Sequence, residues 1–300
     1  MSLTGPFTLQ RGLDAGLTER VLRGPAYRRL LHGVYAPAGV TPTTTVQARA
    51  ALLLAPEGAV VARHTAATLW GGVVPMSPDI HLGLPPGSRL RVSGVDARVR
   101  RRPDAVVHHG LPMTSPAQTF LDLADDLDLV DMVVVGDSLV RAGVARPEEL
   151  VAASAAYRGR QARSARRAAA YVRGGVDSPM ESRLRMLLIL AGLPEPVVNH
   201  ALRDEIGRVL YRLDLSYPQW RIAIEYDGRQ HAENTAQWRW DVQRREGLDA
   251  NGWRLVVVLS GDLYRSPART LERVVSAARA QGVSLRLRSD EWRRYFPQRD

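Results

Sequence analysis

The chain has 300 residues, 45% of them hydrophobic, which is enough for two or three domains with their own cores. No segment approaches the roughly twenty apolar residues of a membrane span, and the start lacks an apolar signal-peptide region, so we expect a cytoplasmic protein without a membrane partner. The absence of cysteine excludes disulfides and thiolate-bound zinc, and the net charge of +10 favours a polyanionic partner.

All 41 basic residues are arginine. The planar guanidinium matches phosphate, so this composition favours a polyanionic partner, although coding bias explains an arginine-only chain equally well.

Residues 1–40 are predicted to form two short helices and a hairpin, the pattern of a small winged-helix domain. We expect a helix from Phe7 to Ala15, a second helix entered at Leu17-Thr18, and strands between Tyr27 and Tyr35. The segment LQRGLDAGLTERVLRGPAYRRLLHGVYAP resembles the N-terminal winged-helix domain of AbiEi-family antitoxins. That resemblance implies DNA contact by the second helix and the basic wing, at Arg20, Arg23, Arg28 and Arg29. The alternative interpretation is a solvated basic face.

Residues 41–176 are predicted to form a mainly helical middle domain. The expected helices are 46–54, 65–70, 115–124 and 127–142, with strands near Val60 and Ile80. His64, His81 and the His108-His109 pair lack the spacing of metal ligands, so we interpret them as ordinary core or surface residues.

The end of this region, from Tyr157 to Arg173, carries six arginines and no acid, which predicts a basic connector helix ending at Gly174-Gly175. This helix either lies against phosphates or is a solvated connector.

Residues 177–285 are predicted to form an αβββαβα domain, followed by a tail over 286–300. Ser178-Pro179 starts a helix in which Glu181 completes a capping box. Strands are expected over 196–202, 208–217 and 221–227, then a helix over 234–250, a buried strand over 253–260 and a helix over 266–281. The fold class is therefore mixed α/β.

The second and third strands of this domain are predicted to form a hairpin, in which acidic residues interrupt the alternating apolar pattern. If the turn is centred on Pro218-Gln219, opposed residue numbers sum to 437, and Asp214 lies diagonal to Glu225 on one face. With Asp227, these residues form the predicted acidic centre. Converging carboxylates repel each other unless a cation compensates, and Mg²⁺ or Mn²⁺ suits an all-oxygen site. His231, four residues past Asp227, is placed to relay a proton.

The motifs SPMESRLR, DLSYP, IAIEYDGRQH, DVQRREGLDANGW and RLVVVLS resemble the restriction-endonuclease-like (PD-(D/E)xK) superfamily. More narrowly, they resemble an uncharacterised family related to very-short-patch-repair (Vsr) endonucleases. The resemblance implies metal ligation by Asp214 and Glu225, a supporting role for Glu181, and catalytic roles for Asp227 and His231. It also implies that Asp241 and Arg244 form a supporting pair.

The superfamily's lysine, two residues after the second acid, is replaced here by Asp227. Water activation then falls to another group, and His231 is a candidate because repair-type relatives use histidine. Plainer interpretations also apply: helix capping accounts for Glu181, a spaced helical ion pair for Asp241 and Arg244, and a turn for Asp227-Gly228.

We expect a Mg²⁺- or Mn²⁺-dependent DNA endonuclease delivered to DNA by its winged helix, with no nucleotide cofactor. The alternatives are a non-enzymatic regulator of antitoxin type, whose nuclease-like domain only binds DNA or a partner, and a nuclease acting on RNA.

Overall fold

The computed structural model describes residues 3–100, 104–228 and 235–296, with backbone alone over 235–241. Within these ranges the chain is mixed α/β, with twelve α-helices and three β-sheets. It divides into two compact units: the first comprises Met1–Leu127 and Ser138–Val172, and the second comprises Asp128–Asp137 and Arg173–Asp300. None of the helices in the described ranges is both long enough and apolar enough to cross a membrane.

The first unit opens with two short helices and a three-stranded antiparallel sheet. Its elements are β1 (Phe7–Thr8), α1 (Leu9–Asp14), α2 (Glu19–Leu22), β2 (Tyr27–Leu31) and β3 (Val34–Pro37), and the strand order is β1-β3-β2. Thr8 and Thr18 cap the helices, because each hydroxyl accepts a backbone N–H from the first helical turn. Phe7, Leu22 and Tyr35 form a small core beneath them. The predicted first helix was wrong over Phe7–Thr8, which pair as a strand with β3.

The rest of the first unit contains a five-stranded sheet with helices. The helices are α3 (Thr44–Leu52), α4 (Arg63–Leu69), α5 (Pro116–Leu123), α6 (Leu129–Arg141, which runs on from the second unit), α7 (Pro147–Ala156) and α8 (Ala162–Ala169). The strands are β4 (Val60–Val61), β5 (Ile80–Leu84), β6 (Val95–Val99), β7 (Ala105–His108) and β8 (Leu111–Thr114), in the order β6-β5-β4-β8-β7.

Two expectations for this region were wrong. The sequence predicts two strands here, and the structure has five. The missed edge strands β6 and β7 contain no fully buried residue; β6 alternates apolar and polar residues over only five positions, and β7 does not alternate. The predicted basic helix over 157–173 is reduced to α8, in which three of the four alanines are buried and the arginines are exposed.

The core of the first unit lies between this sheet and its helices. It is built from small and branched apolar side chains: Ala48, Ala51, Ala59, Val61, Ala66, Ile80, Leu82, Leu84, Leu111 and Met113. Alanines on α3 and α4 let the helices approach the strands closely, which explains why this alanine-rich stretch still buries a core.

The second unit places helices around a four-stranded sheet. After the first part of α6 it contains α9 (Pro179–Leu190), β9 (Val197–Arg203), β10 (Val209–Tyr217), β11 (Ile222–Asp227), α10 (Thr235–Ala250), β12 (Arg254–Leu259), α11 (Ser260–Tyr264) and α12 (Pro267–Ala280). The strand order is β12-β11-β10-β9, with β11 and β12 parallel and the other pairs antiparallel. The element types and order agree with the prediction, except that α11 was not expected.

The register of the β10–β11 hairpin differs from the predicted one by two residues. Leu215 pairs with Ile224, Ser216 with Ala223 and Tyr217 with Ile222, so paired residue numbers sum to 439. A 3₁₀ turn over Pro218–Trp220, followed by Arg221 in the left-handed region (φ 51°), lengthens the connection. Because side chains alternate with a period of two, a two-residue shift keeps each side chain on its predicted face.

Candidate active site

Asp214 and Glu225 come together at the open end of the β10–β11 ladder. The ladder ends at the pair Leu215 and Ile224, and one further position in the same register would set Asp214 directly opposite Glu225 rather than diagonal to it. The Oδ2 atom of Asp214 accepts the backbone N–H of Tyr226 at 3.0 Å. This bond holds the Asp214 carboxylate against β11 beyond the point where backbone pairing stops.

The environment of Asp214 opposes its ionisation. Burial, together with the negative charges of Glu225 and Asp177, raises the pKa of Asp214 to about 6. The hydrogen bond from Tyr226 and the positive charge of Arg244 act in the opposite direction. Asp214 is therefore a desolvated acid beside other acids, a configuration that favours a bound cation or a proton.

Glu181 lies on the first turn of α9 and is buried, with 7% of its surface exposed. Its backbone N–H bonds to the Ser178 hydroxyl at 3.2 Å, and its Oε2 accepts the backbone N–H of Asp177 at 3.0 Å. Burial raises the pKa of Glu181, and the charge of Asp214 contributes in the same direction. Glu181 thus has a capping role at the start of α9 and is electrostatically coupled to Asp214.

Asp177 is a member of this acidic group that the sequence analysis missed. Its charge raises the pKa of both Asp214 and Glu181, and its Oδ2 accepts the side-chain amide of Asn199 on β9 at 3.2 Å. An acid immediately before Ser178-Pro179 was the available signal. In the sequence analysis, Asp177 serves only as the start of the last domain.

Three further predicted residues have different outcomes. Asp227 is the last residue of β11, is partly buried, and shares the strand face of Glu225 because the two are two positions apart. His231 lies outside the described residues. Asp241 belongs to α10, and its side chain also lies outside the described part of the structure.

Arg244 on α10 reaches the acidic pair directly. Its Nη2 donates to Oε1 of Glu225 and, at 2.7 Å, to the backbone carbonyl of Arg212 on β10. The guanidinium also lies over the Tyr211 ring, with its central carbon 5.5 Å from the ring centroid. Arg244 therefore contacts a predicted site residue on the neighbouring strand, whereas the sequence analysis paired it only with Asp241.

The four predicted DNA-contacting arginines lie in the first unit and are all exposed. Arg20 and Arg23 are at α2, and Arg28 and Arg29 are on β2. Arg23 forms an ion pair with Glu19 one turn earlier, at 2.6 Å. This small domain therefore presents positive charge from one helix and from the adjacent strand.

Two histidines of the first unit, His64 and His81, belong to a polar cluster. His64 and His81 stack with ring centroids 4.8 Å apart, and His81 lies within hydrogen-bond distance of the hydroxyls of Thr65 and Ser77. Burial lowers the pKa of His81 to about 4. Across the described ranges, no group of three or more histidines and acids is arranged to hold a metal ion.

No family model matches the chain. The chain is 30% identical over 219 residues to "Uncharacterized protein Rv2248" from Mycobacterium tuberculosis strain H37Rv and, equally, to "Uncharacterized protein MT2308" from strain CDC 1551, spanning 72% of this chain and 80% of each relative. Among solved structures, the crystal structure of the RV2827C protein from Mycobacterium tuberculosis covers 67% of this chain and 84% of its own, with a TM-score of 0.40 and 17% identity.

Proposed function

The chain belongs to the same family as the uncharacterised Mycobacterium tuberculosis protein Rv2248, and we propose that it is a metal-dependent DNA endonuclease. The observation that carries the proposal is the half-buried Asp214, which lies one position beyond the last pair of the strand ladder and faces Glu225 if the same register continues. A protein gains no stability from placing two acids together away from water, so this arrangement is better explained by chemistry than by folding.

The two carboxylates fit Mg²⁺ or Mn²⁺ by their donor chemistry. Magnesium is commonly held by one or two protein carboxylates, with water and substrate phosphate completing its shell, so a third protein ligand is not required. Asp214 and Glu225 would hold the ion. When bound, it would polarise a phosphoryl oxygen and acidify a water molecule.

The protein's own residues then have distinct tasks. Tyr226 fixes one oxygen of Asp214 through its backbone N–H, and Glu181 adds negative charge from the start of α9. We propose that Asp227 and His231 handle the proton of the attacking water, since the position usually held by lysine carries an acid here.

We propose that residues 1–40 form a winged helix that delivers the second unit to DNA. Exposed arginines on α2 and β2 support this role, because guanidinium groups pair well with phosphate oxygens. DNA is the proposed substrate, and a cytoplasmic location accords with it.

A non-enzymatic regulator of antitoxin type is the second candidate. Two observations favour it: the lysine position is occupied by Asp227, and Glu225 already contacts the guanidinium of Arg244. In that case the second unit binds DNA or a partner without cutting.

Plasmid cleavage tests the proposal. We expect the wild-type protein to nick or cut supercoiled DNA with Mg²⁺ or Mn²⁺ and not with EDTA, and Asp214→Ala and Glu225→Ala to reduce cleavage at least 100-fold. The matched control is Glu205→Ala, which removes an exposed acid from the β9–β10 turn of the same sheet.

Each outcome of this assay decides between the candidates. Thermal unfolding of every variant verifies that loss of cleavage is not loss of fold. Full cleavage by both alanine variants would overturn the site, and binding without cleavage by the wild type would favour the regulator. A parallel RNA substrate distinguishes the two nucleic acids.

A further inference from the structure

Arg244 makes three contacts with side chains and backbone in the described part of the chain, which is more than an exposed surface arginine normally makes. One is with the Glu225 carboxylate, one is with the Arg212 carbonyl at 2.7 Å, and one is with the Tyr211 ring at 5.5 Å. The side chains of Arg244 and Glu225 are only 14% and 16% exposed. A guanidinium fixed from three directions is a preorganised group, so its position is a property of the fold.

The contact with Glu225 uses only one of the two carboxylate oxygens. Arg244 binds Oε1, which fixes the rotation of the carboxylate and thereby the direction of Oε2. Residues that hydrogen-bond to a metal-binding carboxylate orient it in this way, and their loss typically weakens metal affinity by about 10–100-fold.

We propose that Arg244 is a positioning residue that orients Glu225, so that Oε2 is the oxygen offered to the divalent cation. This inference rests on the proposed function, because it concerns the same pair of carboxylates. Arginine suits the task because its charge is permanent and its planar group can contact a carboxylate and a carbonyl at once. It also means that Arg244 acts on the metal through Glu225 and does not itself move a proton.

The test is Mn²⁺ binding by isothermal titration calorimetry on the full-length, EDTA-treated protein. We expect Arg244→Gln to weaken Mn²⁺ binding at least 10-fold and Arg244→Lys to weaken it less, because lysine keeps the charge but loses the fork. The matched control is Arg245→Gln, which removes an exposed arginine from the next position of α10 and should leave binding unchanged.

Cleavage measured against Mn²⁺ concentration provides a second readout. If Arg244 acts by positioning Glu225, Arg244→Gln requires more Mn²⁺ and regains most of the wild-type rate at saturation. Mn²⁺ binding by Arg244→Gln as tight as that of the wild type would overturn the inference, and so would a rate loss of 100-fold or more that saturating Mn²⁺ does not restore.

The failures of the two proposals are distinguishable. A wild-type protein that binds no Mn²⁺ contradicts the proposed function and this inference together. A wild-type protein that binds Mn²⁺ and cleaves DNA, with Arg244→Gln behaving identically, contradicts this inference alone. Unfolding midpoints of the metal-free variants verify that Arg244→Gln folds, and Arg244→Lys keeps the test decisive if it does not.

Discussion

Asp214 is subject to opposing demands from folding and from the proposed chemistry. Burial raises its pKa in the folded protein to about 6, above the ordinary value of 3.8, so its stabilising contribution is complete below pH 3.8 and is lost as the pH rises through 6. We therefore expect Asp214→Asn, measured with EDTA at pH 8, to raise the free energy of unfolding by about 2 kcal/mol.

The gain should shrink as the pH falls and vanish near pH 3.8, because the wild-type aspartate is then neutral too. Asparagine can still accept the Tyr226 N–H through its side-chain oxygen, so the hydrogen bond is preserved. Asp249→Asn, an exposed change on α10, is the control and should have little effect at either pH. If Asp214→Asn lowered the free energy of unfolding equally at pH 8 and near pH 3.8, the raised pKa of Asp214 would not be the cause.

The pKa shift of His81 has the opposite effect on how stability depends on pH. Burial, together with the positive charge of Arg63, lowers its pKa to about 4 from an ordinary value of 6.5. The contribution of neutral His81 to the free energy of unfolding is therefore present above pH 6.5 and is lost as the pH falls toward 4. Its size is about 3 kcal/mol for this one residue. We expect His81→Gln to flatten the decline in thermal stability between pH 7 and pH 4.

Exposed His32 supplies the comparison, because His32→Gln should leave the pH profile of thermal unfolding parallel to that of the wild type. His81→Gln should also be less stable at pH 7, since it disturbs the contacts with Thr65 and Ser77. An unchanged slope in His81→Gln would show that other groups dominate the acid sensitivity.

At the scale of elements, α9 is fixed by a buried ion pair with the part of α6 that belongs to the second unit. Arg185 is fully buried and contacts Asp137 at 2.9 Å, and Asp137 also accepts the hydroxyl of Ser182 at 2.7 Å. We expect Asp137→Ala to lower the free energy of unfolding by about 3–5 kcal/mol, because it leaves the buried guanidinium without its nearest charge.

The same pair of helices offers a more accessible counterpart. Asp131 on α6 pairs with Arg183 on α9, and both side chains are about one-fifth exposed, against 2% or less for Asp137 and Arg185. With both variants measured by urea titration, Asp131→Ala should lower the free energy of unfolding less than Asp137→Ala does. Similar losses in the two variants would mean that burial is not what makes the Asp137 pair important.

The elements of the second unit were predictable because their signals are local. Ser178-Pro179 marks the start of α9, and the apolar run of β12 is typical of a buried strand. The β10–β11 register was not predictable, because the left-handed conformation of Arg221 lengthens the turn and nothing in its sequence marks it. The edge strands β6 and β7 were missed because they are only five and four residues long and bury none of their side chains, so their apolar pattern is too short to distinguish them from a loop.

At the scale of the whole molecule, the shared strand face of Asp214 and Glu225 could be predicted from the sequence, because the alternation of side chains is unchanged by a two-residue shift of register. The proximity of Asp177 and the contact between Arg244 and Glu225 could not be predicted from the sequence, since these depend on how α9 and α10 pack against the sheet. Local pattern identifies side chains on a shared strand face. Contacts between a helix and a strand require tertiary structure.

The proposed DNA binding would involve the whole chain, and its salt dependence would separate specific phosphate contacts from the overall charge of +10. If Arg20 and Arg28 each contact a phosphate, the double variant Arg20→Gln/Arg28→Gln should lower the slope of log affinity against log salt by about 1.8. Arg269→Gln/Arg286→Gln removes the same charge from exposed positions of the second unit and should change the slope by less than about 0.5. Fluorescence anisotropy with a short DNA duplex, at salt concentrations from about 50 to about 200 mM, measures both slopes. Equal slopes for the two double variants would mean that the charge acts as a diffuse field, and the proposed delivery by residues 1–40 would then be wrong.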